Sequence, residues 1–181
     1  MMEYVKIPAE RIGVLIGRDG TVKDEIERAL NVSLDIDVED GNVTIQNRGE
    51  DILAEWKARD MVKAIGRGIN PEKALLLKSD DYVLKIINLT DLIGRSRKAL
   101  VRQKGRIIGK RGKTREFISQ MSGATISVYG KSVAIIGEPE EVRVATEAIE
   151  MLASGKPHGV VYKILQRKAS ELKEKRLRLW K

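Results

Sequence analysis

Residues 12–36 and 104–128 carry one pattern written twice. At a shift of 92, Gly13 falls on Gly105, Leu15 on Ile107, Ile16 on Ile108, Gly17 on Gly109, Gly20 on Gly112, Ile26 on Ile118, Leu34 on Ile126 and Ile36 on Val128. At a shift of 90, Val43, Ile45, Ala58, Met61 and Val62 fall on Val133, Ile135, Ala148, Met151 and Leu152. A repeat of this length is a duplicated folding unit. The chain of 181 residues has room for two small units of about 90 residues each, with 42% hydrophobic residues to build their cores. The drop in shift places a loop two residues shorter around Gly130 in the second copy.

Each copy reads as β-α-α-β-β-α. In the first, residues 4–7 alternate as a strand and Pro8 suits the first turn of a helix ending at Ile16. Gly17-Arg18-Asp19-Gly20 breaks that helix, and residues 21–30 resume it with Val22, Ile26 and Ala29 on one face. Residues 33–37 and 42–46 alternate as a strand pair, and residues 50–65 read as a longer helix. Residues 67–79 read as a connector. The second copy starts at a strand over 82–89. About ten extra residues then precede its glycine loop, which predicts a longer first helix. Gly155-Lys156-Pro157 ends the last repeated helix, and residues 160–175 read as one more, with Val161, Leu165, Ala169 and Leu172 on one side. The expected fold class is α+β, with domains over 1–78 and 79–181, each a three-stranded antiparallel sheet packed on three helices.

Charge separates the copies. The net charge of +8 favours an anionic partner, nucleic acid first. Residues 1–70 carry 10 Lys+Arg against 14 Asp+Glu, whereas residues 91–115 carry ten cations against Asp91 alone. Glycine lets a strand of nucleic acid approach without a Cβ in the way. Each loop also opens a helix N-terminus, whose free N–H groups favour phosphate. The expected RNA-binding residues are Arg102, Lys104, Arg106, Ile108, Gly109, Lys110, Arg111, Gly112, Lys113, Arg115 and Ile126, with Ile107, Ile108 and Ile126 as an apolar floor for bases. Gly17, Arg18, Asp19 and Gly20 form the weaker counterpart, for RNA or a protein contact, because Asp19 repels phosphate and Asp24, Glu25 and Glu27 follow it. Aromatic residues are only 4%, so ring stacking is a minor contributor.

Two helices joined by Gly-x-x-Gly and followed by an alternating strand resemble the type I KH domain, most closely over Gly105 to Lys113 with Ile118, Gly123-Ala124-Thr125-Ile126 and Val128. Two such copies, the cation-rich second loop and the trailing Ser154-Gly155-Lys156-Pro157…Val161-Tyr162 segment resemble the partner-of-Nob-one family of ribosome-assembly factors in its compact archaeal form. The resemblance implies a groove for about four unpaired nucleotides. It also implies binding of small-subunit ribosomal RNA near its 3′ end and assistance to a maturation endonuclease. In the eukaryotic members the first copy has lost its glycine loop, whereas Gly17 and Gly20 remain here.

Competing readings are weaker. Gly112-Lys113-Thr114 lacks the upstream glycine of a P-loop, since position 107 is isoleucine. There is no cysteine and one histidine, His158, which leaves no thiolate zinc site and no expected cofactor or metal. Asp35, Asp37, Glu39 and Asp40 read as a solvated strand face and turn, and Trp56 as packed against its domain. No apolar run is long enough to span a bilayer, so a cytoplasmic protein with no membrane partner is expected. The expected function is a non-catalytic binder of single-stranded RNA, with a nuclease or a translation factor as protein partner. The alternatives are a KH-type regulator of messenger RNA or translation, and an accessory subunit of an RNA-processing enzyme.

Overall fold

The computed structural model describes residues 2–180 and separates into two compact units, Met1–Leu84 and Lys85–Lys181. The first contains β1 (Met2–Lys6), α1 (Ala9–Ile16), α2 (Thr21–Leu30), β2 (Val32–Ile36), β3 (Asn42–Asn47), α3 (Ala54–Gly66) and the short α4 (Pro71–Ala74). The remaining elements are β4 (Val83–Asn88), which crosses the boundary, α5 (Leu89–Ile93), α6 (Arg97–Ile108), α7 (Lys113–Ser122), β5 (Thr125–Tyr129), β6 (Ser132–Gly137), α8 (Pro139–Ala153) and α9 (His158–Leu179).

In the first unit the sheet order is β1-β3-β2, antiparallel throughout, with Val5 opposite Val43 and Leu34 opposite Ile45. Alternation sends Val5, Val32, Leu34, Val43 and Ile45 into the core, where Ile26, Met61 and Ile65 from the helices meet them. The second sheet has the order β4-β6-β5, with Ile126 opposite Ile135 on its core face. The last strand of each order, β2 and β5, is an edge, and that edge lies beside α2 or α7. Each fully buried leucine or isoleucine contributes roughly 1.5–3 kcal/mol.

Three sequence expectations are corrected. The extra residues of the second copy do not simply lengthen one helix. They form α5 and a break at Gly94, whose φ of 94° is left-handed, before Ser96 caps α6 by accepting from the Ala99 N–H. The third helix starts at Ala54 rather than residue 50, because Asp51 is held in a turn: its carboxylate accepts the Leu53 N–H at 2.9 Å and its carbonyl accepts from Asn47 Nδ2 at 2.7 Å. The connector over 67–79 is part of the first core, with Ile69, Ala74 and Leu77 buried. Arg11 donates to the Ile65 carbonyl at 2.8 Å and the Ile69 carbonyl at 3.3 Å, fastening its start to α1.

The trailing helix is longer than the sequence pattern suggested, and it docks along its length on the second unit. Val161 and Leu165 are buried. Further along, Lys168 pairs with Glu147, and Arg176 reaches Glu138 at 2.9 Å and Glu141 at 3.1 Å. The bond to Glu141 is the first cause holding the Arg176 guanidinium above its usual range. Glu141 also accepts the Glu138 N–H at 2.8 Å, closing a capping box at the start of α8. No helix among the described residues is long and apolar enough to cross a membrane.

Candidate nucleic-acid interface

The two glycine loops share one backbone shape. Gly17 and Gly109 end α1 and α6 with φ of 75° and 73°, and Gly20 and Gly112 open α2 and α7 with φ of 76° and 72°. Between them Asp19 and Arg111 sit in the left-handed region at φ 55° and 57°. The paired glycines have different reasons to be glycine. A Cβ on Gly109 would lie 2.7 Å from Thr114 Cβ and 2.8 Å from its backbone nitrogen, and one on Gly17 would meet Val22 in the same way. A Cβ on Gly20 would meet nothing within 4 Å, and one on Gly112 only the Arg115 guanidinium, so these two answer to backbone conformation alone.

Neither α2 nor α7 has a side-chain N-cap; the first N–H of each, on Thr21 and Lys113, donates instead to the Arg18 or Lys110 carbonyl of the loop turn, which joins loop and helix end into one polar corner. In the second unit this polar end is ringed by Lys110, Arg111 and Lys113, all exposed. In the first it is ringed by Arg18 and Asp19, with Asp24 and Glu25 exposed on the helix that follows. Equal shape with unequal charge, Arg18 beside Asp19 against Lys110 beside Arg111, leaves electrostatics as what distinguishes the loops toward a phosphate.

The edge strands carry the same contrast. Arg115 donates from α7 to the Ile126 carbonyl at 3.2 Å, and its guanidinium lies 3.6 Å from the Cβ position of Gly112. It therefore bridges the cleft between the glycine loop and β5. At the repeated position in the first unit, the Leu34 N–H donates to the Glu27 carboxylate at 2.8 Å. One cleft wall presents cationic donors, the other an anionic acceptor.

The expected site residues fall into three groups. Lys110, Arg111 and Lys113 form one exposed rim around the half-buried Gly109 and Gly112, with Arg115 at its inner edge and Ile108 half-buried beneath it. Arg102 is exposed on α6 and Lys104 half-buried. Ile126 and Ile107 are the correction: at 3% and 0% exposure both side chains belong to the core, so Ile108 alone remains of the apolar floor and β5 offers its backbone edge instead. Arg106 is also relocated. Its guanidinium donates to the Lys156 carbonyl, and its own carbonyl pairs with His158 Nε2 at 2.9 Å, latching α6 to the turn before α9.

That latch exposes what sequence reasoning missed. Tyr162 on α9 pairs its hydroxyl with Thr114 Oγ1 at 3.0 Å, and its ring packs 4.4 Å from Phe117. Thr114 is the residue whose atoms crowd Gly109, so α9 braces the loop from behind. Only the lone tyrosine four residues after His158 hinted at this. Trp56, expected to be packed, is 50% exposed on α3 beside exposed Ile52 and Leu53. Among the described residues no group of acidic or histidine side chains is arranged to hold a metal ion.

Comparison with known proteins agrees with this geometry. Residues 83–170 match the family model described as a eukaryotic type KH-domain (KH-domain type I), and residues 2–64 match the KH domain model. A KH domain-containing protein of Methanocaldococcus jannaschii is 52% identical over 182 residues, which cover 99% of this chain and 79% of the relative. The pre-rRNA-processing protein pno1 of Aspergillus fumigatus is 35% identical over 127 residues, 69% of this chain and 50% of that protein. The chain thus aligns with about half the length of that fungal relative. Among solved structures, a crystal structure of an a/eIF2alpha–aDim2p–rRNA complex from Pyrococcus horikoshii contains a chain of TM-score 0.88 and 53% identity, with 94% of this chain and 95% of that one covered. With its two glycine loops, a three-stranded sheet in each unit and its trailing helix, the chain belongs to the tandem KH-domain family of archaeal Dim2p and pno1.

Proposed function

We propose that this protein is a non-catalytic binder of single-stranded RNA in small-subunit ribosome biogenesis. Its second KH domain grips pre-ribosomal RNA near the 3′ end and so assists a processing nuclease. The observation that carries the reading is the exposed Lys110-Arg111 pair, held by a left-handed turn at the start of α7, which has no side-chain cap. Such a rim grips the sugar–phosphate chain while bases turn toward Ile108 and the edge of β5. Support also comes from the relatives: one is named for pre-rRNA processing, and another was crystallised with rRNA and a/eIF2alpha. That complex favours a translation factor as a protein partner.

Because the apolar part of the cleft needs unstacked bases, single-stranded RNA binds more tightly than duplex of the same sequence. Four to six neutralised phosphates give a log–log salt slope of roughly −3 to −4 for a single strand. Titration of labelled RNA across a salt series measures it, and equal affinity for a blunt duplex or a flat salt response would sink the groove reading. Purified protein incubated with labelled RNA and magnesium leaves the RNA intact, since among the described residues no side chain is arranged as an activated nucleophile and no acidic group is arranged to hold a metal ion. Cleavage that disappears on Asp35→Asn or Asp37→Asn is the contrary result.

A further inference from the structure

The residues that the second unit has and the first lacks carry cations. Arg95, Arg97 and Lys98 lie in the added segment around the start of α6, and Arg102 follows one turn later. All four are exposed, and none makes an ion pair or side-chain hydrogen bond among the described residues. Lys98, Arg102, Gly105 and Gly109 follow one another at helical spacings of four, three and four, which puts them on one face of α6. That face runs about 16 Å from the helix start to the glycine loop at 1.5 Å per residue. Gly105 leaves it bare, since a Cβ there would meet nothing within 4 Å.

This face is costly to the helix that carries it. Arg97 and Lys98 stand in the first turn, against the positive end of the dipole, and no acidic residue balances them there. Lys98 and Arg102 are like charges at i,i+4. Gly105 weakens the helix interior without easing any packing. Three local penalties on or beside one solvent-facing stripe have no structural compensation among the described residues. The first unit shows the contrast: α1 begins only at Ala9, and Glu10 occupies the position of Arg102.

We infer that this stripe, with Arg95 and Arg97 beside its start, is a second RNA contact, a phosphate track that continues the strand held at the glycine loop and reads no bases. It rests on the proposed RNA reading and extends the bound length beyond the four nucleotides of the groove. The test compares wild type with the Arg95→Gln/Arg97→Gln/Lys98→Gln variant, which keeps the Ser96 cap and the helix propensity. The probes are an RNA of about 24 nucleotides with the 3′-terminal small-subunit sequence and tiled pieces of about six, just longer than the groove holds. On the long RNA the variant loses about tenfold or more in affinity and its salt slope falls by about 2, as expected for three lost phosphate contacts. On the best short piece both proteins bind alike. An unchanged long-RNA slope overturns the track, and so does an equal loss on both lengths, which signals only a general field. If wild type binds no short piece, the groove reading fails on its own, and the long-RNA slopes still decide the track.

Discussion

Replacing Lys110 and Arg111 together by aspartate lowers affinity for single-stranded RNA by more than about a hundredfold. Two charge-assisted contacts are lost and two repulsions appear, together roughly 3 kcal/mol. Both side chains are exposed and neither has a partner within the fold among the described residues, so circular dichroism and the melting temperature barely move. Arg18→Asp, at the same place in the first loop, costs much less, because Asp19 already opposes a phosphate there and Glu27 faces the adjoining cleft. Fluorescence anisotropy on the two variants ranks the loops directly. An equal loss for both would show that the domains grip one strand with comparable force, and that cations elsewhere override the local charges.

Gly109→Ala strikes the same loop through shape rather than charge. The added methyl forces left-handed φ on an L side chain, about 1–2 kcal/mol, and drives Cβ to within 2.8 Å of the Thr114 backbone. Thr114 has little room to yield, being buried and tied to Tyr162. The total destabilisation is about 3 kcal/mol or more, and RNA binding is lost with the loop geometry. Gly112→Ala meets no collision, and its ψ of 14° keeps it in the left-handed helical region rather than the glycine-only region of Gly109 at ψ 174°, so it is milder by about 2 kcal/mol. Chemical denaturation of the two variants measures the difference. Equal destabilisation would mean that the neighbourhood of Thr114 relaxes freely.

How far the sequence foretold this molecule follows from what each signal depends on. The glycine loops and α2 were legible because turn and helix there are local properties, repeated twice in register. The burial of Ile69, Ala74 and Leu77 was not, since their short spacing resembles a linker until α1 and α3 supply a surface to pack on. Ile126 was misread for a related reason. Alternation says that one face of a strand is buried, but an apolar residue beside a groove can point to either side of it. Arg106 shows the limit of charge counting: a cation inside a basic run reads as a phosphate contact, yet the carbonyl of Lys156, fifty residues away, holds it. The brace from Tyr162 depends on where α9 docks, which no local pattern encodes.

Arg111 has one more implication. Left-handed backbone suits glycine and asparagine and disfavours arginine, yet the loop keeps arginine there with the same dihedral angles that Asp19 adopts in the other copy. On the proposed reading, folding and RNA grip pull this position in opposite directions. A library of substitutions at 111, sorted once for thermal endurance and once for RNA capture, would come out in nearly reversed order, with glycine and asparagine rising in the first list and sinking in the second. Since shape is common to both loops and charge is not, the duplicated gene had an inexpensive way to diverge: the scaffold stayed fixed while the two residues between the glycines changed.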